Sequence, residues 1–144
     1  MEIAHLAGLY GHSIDRTLTV LREAGLGSIP GGGAEVFSKR IREKTCRDKL
    51  SGKEWLEVAK TAHRLGLKSN ATMLYGHIET IEERVEHLDA LREAQDETGG
   101  FLTFIPLALH PKNTEMDSLS GTTGIDDLKN IAVSRLFLDN FPHI

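Results

Sequence analysis

Three short polar clusters carry the residue types that chemistry needs. His77 and Glu79 stand two apart just after the apolar run Lys68 to Tyr75, and in extended backbone such residues project the same way. An imidazole beside a carboxylate suits proton transfer or substrate anchoring, although a glutamate just before a helix is equally an ordinary solvated residue. Pro30-Gly31-Gly32-Gly33-Ala34-Glu35 follows another short apolar run. Consecutive glycines let backbone amides approach a ligand and take up positive φ, and Glu35 can accept hydrogen bonds from a ribose or an amine. The same glycines serve equally in a tight turn with Glu35 opening the next helix. The third cluster, His110-Pro111-Lys112-Asn113-Thr114, offers His110 as a general acid or substrate donor and Asn113 as a substrate contact. Asn70 and Thr72 interrupt the second apolar run, and polar side chains on a buried strand need a partner, either a ligand or a neighbour.

The elements that must position these clusters are legible from periodicity and stop signals. Ser13 can cap a helix to Ala24, with Ile14, Leu18 and Leu21 as its stripe and Gly25 as its end. Leu26 to Ile29 reads as a short strand before the glycines, and Ala34 to Lys44 as a short helix. Ser51 to Glu54 and Thr80 to Glu83 are capping boxes. The first opens a helix with Trp55, Val58, Ala59, Ala62 and Leu65 on one face, ended by Gly66; the second opens one striped by Val85, Leu88 and Leu91, running to about Glu97. Lys68 to Tyr75 and Phe101 to Leu109 suit buried strands, with Pro106 implying an interruption of the second ladder. A last helix from about Ile125 to Asn140 carries Ile125, Leu128, Ile131, Ala132 and Leu136.

Strands separated by crossover helices lie parallel in one sheet, so the class is α/β, either an open sheet or a (β/α)8 barrel. In both, functional residues gather at the carboxyl ends of the strands. All three polar clusters fall there, which favours a single site.

Composition narrows the partners. The 144 residues, 40% apolar and 26% charged, suit one globular domain, and a net charge of −4 leaves no bulk electrostatic footprint for nucleic acid or an anionic membrane. A small-molecule substrate is expected. No GxxxxGK[ST] or GxGxxG pattern occurs, and the histidines show no HxH or HExxH spacing. His63, in the last turn of its helix, is expected to serve the helix dipole. One cysteine, Cys46, builds neither a disulfide framework nor a four-cysteine metal site, which predicts a reducing, cytoplasmic setting. No apolar stretch is long enough to span a bilayer.

Longer stretches say more. Gly25 to Glu35 (GLGSIPGGGAE), Ala62 to Thr80 (AHRLGLKSNATMLYGHIET), Gln95 to Phe101 (QDETGGF) and Phe104 to Ala108 (FIPLA) closely resemble aminofutalosine synthase, a radical S-adenosylmethionine family of the futalosine route to menaquinone. The sister family dehypoxanthine futalosine cyclase shares the PGGGAE and DETGGF signatures, whereas SNATMLYGH and His110-Pro111 look more like the synthase. The resemblance implies a partial (β/α)8 TIM-type barrel of about three parallel strands with crossover helices. Residues 1 to 144 would then be the later portion of one barrel domain, truncated at both ends. It further implies S-adenosylmethionine and a [4Fe–4S] cluster in the intact enzyme, the cluster held by a CxxxCxxC motif that this sequence lacks. Gly31, Gly32, Gly33 and Glu35 become the expected cofactor contacts. His77, Glu79 and His110 are the expected catalytic groups, and Asn70, Thr72 and Asn113 the substrate contacts. The chain alone is expected to be inactive and to self-associate through open sheet edges. A non-catalytic remnant or interaction module that only shares ancestry is the contrasting expectation.

Overall fold

The computed structural model describes residues 2 to 144. Its elements in chain order are α1 (Glu2–Tyr10), α2 (Ile14–Glu23), β1 (Ser28–Ile29), α3 (Lys39–Thr45), α4 (Gly52–Arg64), β2 (Lys68–Tyr75), α5 (Ile81–Thr98), β3 (Phe101–Ala108) and α6 (Gly124–Phe137). The strands form one parallel sheet in the order β1-β2-β3. This is the α/β arrangement expected, three consecutive strands joined by crossover helices.

The helices begin where the sequence supplies oxygen caps. Ser13, Ser51, Thr80 and Thr123 each accept a backbone N–H in the first turn, and the last three form reciprocal capping boxes with Glu54, Glu83 and Asp126. Gly99, at φ 58°, ends α5 in the left-handed conformation that glycine adopts without strain.

Alternation along β2 sends Ala71, Met73 and Tyr75 to one face, where they pack with Trp55 and Ala59 of α4, Leu88 and Leu91 of α5, and Phe101 and Phe104 of β3. A smaller core joins Ile3, Leu18, Ala62 and Leu67 beneath α1 and α2. Parallel pairing also continues beyond β3, where Thr103 bridges His143 and the Phe104 amide donates to the His143 carbonyl at 3.0 Å.

Several local expectations are corrected. A further helix, α1, precedes the first one read from periodicity. The helix expected from Ala34 starts only at Lys39, because residues 30 to 36 run beside β2. The Thr72 hydroxyl donates to the Gly31 carbonyl at 3.0 Å and the Leu74 amide to the Glu35 carbonyl at 3.2 Å, while Ala34 and Val36 are fully buried. The irregularity in the β2–β3 ladder falls between Ser69 and Ala71, opposite Phe101 and Phe104; Pro106 stands in register with Met73. On α6 the expected core stripe is largely exposed, Leu128 at 70% and Leu136 at 82%, and only Ser134 of that helix is buried.

His63 does not sit free at a helix end. Its ring is buried edge-on against Phe101, with Nδ1 2.7 Å from the Thr98 hydroxyl and Nε2 2.8 Å from that of Ser69. Burial, with Lys68 nearby, pushes its pKa down to about 4, so at neutral pH it is an uncharged clamp and no partner for the dipole. His87, wholly buried against Phe37, donates from Nε2 to the Thr72 carbonyl and is pushed down to about 3, chiefly by burial. Both rings are neutral in the folded chain while unfolded histidines protonate near pH 6.5. The unfolded state therefore binds more protons below that value, and stability falls as pH drops from 6.5 toward 4. Urea midpoints measured across that window should decline steadily, and His63→Gln should flatten the slope; a midpoint independent of pH there would contradict the buried neutral rings.

Candidate functional site

The carboxyl end of β2 gathers the polar clusters. Glu35 is joined to Leu74 through the backbone, the β2–α5 turn follows directly, and the Leu109 amide donates to the Tyr75 carbonyl at 2.8 Å. Gly76, at φ 84°, lets the loop before α6 close over this turn, since a Cβ there would lie 2.4 Å from Thr122 Cγ2. The rim anticipated from the sequence is thus one contiguous feature.

His77 and Glu79 are in contact, with Nδ1 3.0 Å from Oε2, and both side chains are all but inaccessible. Oε1 of Glu79 accepts from the Gly76 amide at 2.6 Å and from Arg84 Nε at 2.7 Å, while Oε2 accepts from the His77 amide at 2.8 Å. Burial by itself would raise this carboxyl, but the Gly76 amide, His77 and the other amides of the turn outweigh it and hold the group below its ordinary range. The His77 Nε2–H donates to the Leu74 carbonyl at 2.9 Å. Glu79 is therefore an ionised hub that ties turn, histidine and helix together.

Around the hub stand residues the sequence reading did not single out. The Arg84 guanidinium lies over the Tyr75 ring, 5.2 Å from its centroid, a cation–π arrangement. The Tyr75 hydroxyl donates to Asp127 of α6 at 2.7 Å, and burial together with that bond pushes the phenol up to about 12. Arg84, in the first turn of α5 and five residues from Glu79, offered a local signal; the pairing of Tyr75 with Asp127 crosses 52 positions and offered none. A second tie runs from α3, where Arg40 and Ser38 both donate to Glu83. The Arg40 hydrogen bond dominates in pulling the Glu83 carboxyl down to about 2.

The glycine cluster is more committed than its composition suggests. Gly31, at φ 77°, lies against the β2 backbone, where a Cβ would sit 1.9 Å from the Asn70 carbonyl oxygen. The Gly32 carbonyl accepts from the Trp55 indole, and the Gly33 and Ala34 carbonyls accept from the buried Arg42. Gly32 itself has open space where a side chain would be. Glu35, in the left-handed region at φ 51°, meets Lys49 through Oε1 at 2.5 Å, which leaves Oε2 without a donor among the described residues. Thr72 spends its hydroxyl on Gly31, whereas the half-buried amide of Asn70 has no hydrogen-bond partner among the described residues. His110 and Asn113 are exposed, their side chains unpartnered there, and Asn113 is left-handed at φ 64°. Free polar valences at the carboxyl end of β2 belong to Glu35, His110 and Asn113, whereas Asn70, expected on the same rim, is the third residue of β2, level with Gly31 and the start of β3, and so lies toward the other end of the strand.

The class is a parallel α/β sheet with crossover helices, the kind of fold in which ligands gather at the carboxyl ends of the strands. No family model matches the chain. It is nevertheless 54% identical, over 99% of its length, to aminodeoxyfutalosine synthase of Thermus thermophilus, which bears out the resemblance read from the sequence. It is also 46% identical over 94% of its length to the 5-amino-6-(D-ribitylamino)uracil–L-tyrosine 4-hydroxyphenyl transferase of Methanothermobacter thermautotrophicus, and 43% identical over 100% to that of Archaeoglobus fulgidus. The chain spans about 40% of the length of these curated relatives. No described helix is long and apolar enough to cross a membrane.

Proposed function

We propose that this chain supplies one part of the barrel and active-site rim of an enzyme with the activity of aminodeoxyfutalosine synthase. By the family resemblance, that activity adds a 5′-deoxyadenosyl radical to 3-[(1-carboxyvinyl)oxy]benzoate and gives 6-amino-6-deoxyfutalosine in menaquinone biosynthesis. The carrying observation is the 54% identity across essentially the whole chain, against 46% or less for the tyrosine transferases reported above.

The cluster such chemistry requires takes three cysteine thiolates. Cys46 is the single cysteine, and no group of three histidine, cysteine or acidic side chains able to hold a metal gathers among the described residues. These residues do not fit the cluster, and its chemistry falls outside them. S-adenosylmethionine is a better match, because Glu35 Oε2 is an uncommitted acceptor on backbone paired with Leu74, near the carboxyl end of β2. When bound, that cofactor supplies the adenosyl group. The chain's own part is to accept from it at Glu35 and to keep His77 oriented by Glu79 at the end of β2. His110 and Asn113 offer a proton-handling group and an amide from the facing loop.

The decisive experiment places residues 1 to 144 in the corresponding region of the Thermus thermophilus synthase. The hybrid should form 6-amino-6-deoxyfutalosine, whereas the 144 residues assayed alone should give no turnover. A hybrid that folds and holds its cluster but makes no such product would overturn the reading, as would turnover by the chain alone. Formation of a tyrosine-derived 4-hydroxyphenyl adduct would favour the transferase instead.

A further inference from the structure

Beside the rim, between α5 and α6, lies a groove of about 530 Å³ that borders the Gly76–His77 turn and extends away from it along the two helices. Its walls are aliphatic, with Ile81 and Val85 from α5, Val133 from α6 and Leu119 from the loop. Its polar lining is unbalanced. Arg84 spends Nε and one terminal nitrogen on Glu79, and its other terminal nitrogen, Nη1, makes no bond among the described residues. Exposed Lys129 makes neither hydrogen bond nor ion pair there. The Asn130 Nδ2 is buried without an acceptor. Asp126, the one carboxylate on the lining, feels both cations but directs Oδ2 to the Thr123 amide and hydroxyl.

Three uncommitted donors and aliphatic walls call for an occupant with acceptor oxygens at one end and a hydrocarbon body at the other. We propose that this groove binds the carboxylate of a small aliphatic acid. The carboxylate meets Lys129, Arg84 Nη1 and Asn130 Nδ2, and the hydrocarbon lies against Ile81, Val85 and Val133. Such a charge-assisted contact also relieves the buried donor of Asn130, whose isolation is otherwise costly. The groove shares the His77 turn with the rim, and a binding measurement on the chain alone tests it whatever reaction the rim serves.

Equilibrium dialysis of the 144-residue chain against radiolabelled isocaproate reads the proposal directly and tolerates association of the protein. Binding is expected at about 1 mM or tighter, with the neutral isocaproamide at least tenfold weaker. Lys129→Met, at an exposed position without hydrogen bond or ion pair among the described residues, should weaken binding at least fivefold, and Asn130→Asp should abolish it. No saturable binding, equal binding of acid and amide, or an unaltered constant in Lys129→Met would each overturn it. Displacement by inorganic phosphate at the concentration at which isocaproate itself competes would also overturn it, since the aliphatic walls would then contribute nothing.

Discussion

Glu79→Ala is expected to cost about 3 to 5 kcal/mol of folding stability, the range for removing one partner from a buried ion pair. Three donors lose their acceptor at once. The Gly76 and His77 amides and Arg84 all converge on a carboxylate whose side chain is 0% exposed. Glu79→Gln keeps the shape and one acceptor oxygen, and should fall between wild type and alanine. Urea unfolding followed by circular dichroism measures both. A loss below about 1 kcal/mol for the alanine variant would fit a surface pair and would dissolve the hub. The same variants separate two roles in the synthase hybrid, because a positioning carboxylate should yield more readily to Gln than to Ala.

Gly31→Ala should be nearly as damaging, for a different reason. A left-handed backbone costs a non-glycine residue roughly 1 to 2 kcal/mol, and the added methyl must displace β2, since it would approach the Asn70 carbonyl oxygen to 1.9 Å at φ 77°. Overpacking of this kind costs about 1 to 3 kcal/mol more. Gly32→Ala is the control, with nothing within 4 Å of its added carbon and no positive φ; it should stay within about 0.5 kcal/mol of wild type. Thermal melts of the two variants compare backbone approach with ligand approach. If Gly31→Ala were as benign as Gly32→Ala, the close packing of residues 30 to 35 on β2 would be refuted.

What could be read from sequence follows the range of the forces involved. The capped helices and β2 were legible because caps, stop signals and apolar periodicity act within a few residues: Ser51, Thr80 and Gly99 mark their ends by local chemistry alone. The convergence of the three clusters was legible too, since parallel strands carry their following loops to one edge. Residues 34 to 38 were misread as helical because their extended path depends on partners elsewhere, namely Leu74 and Arg42. The stripe on α6 has helical spacing, yet spacing does not tell which neighbour covers it, and in this chain the sheet leaves Leu128 and Leu136 exposed. The role of His63 turned on burial, which its place at a helix end disguised. Asp127 is different from Arg84 in offering no local signal, because an isolated charged residue on a helix carries no sign of what the fold will set beside it from 52 positions away.

Arg42 has a bearing on how the rim is assembled. It is 5% exposed and donates to the carbonyls of Gly33 and Ala34, only nine and eight positions earlier in the chain. A contact across so short a loop forfeits little chain entropy. The path of the glycine run is thus held from two sides, by Arg42 a few residues on and by β2 and Trp55 across the fold. A graft of the stretch onto another parallel sheet must therefore carry Arg42 with it and meet a strand that offers what Thr72 and Leu74 offer here.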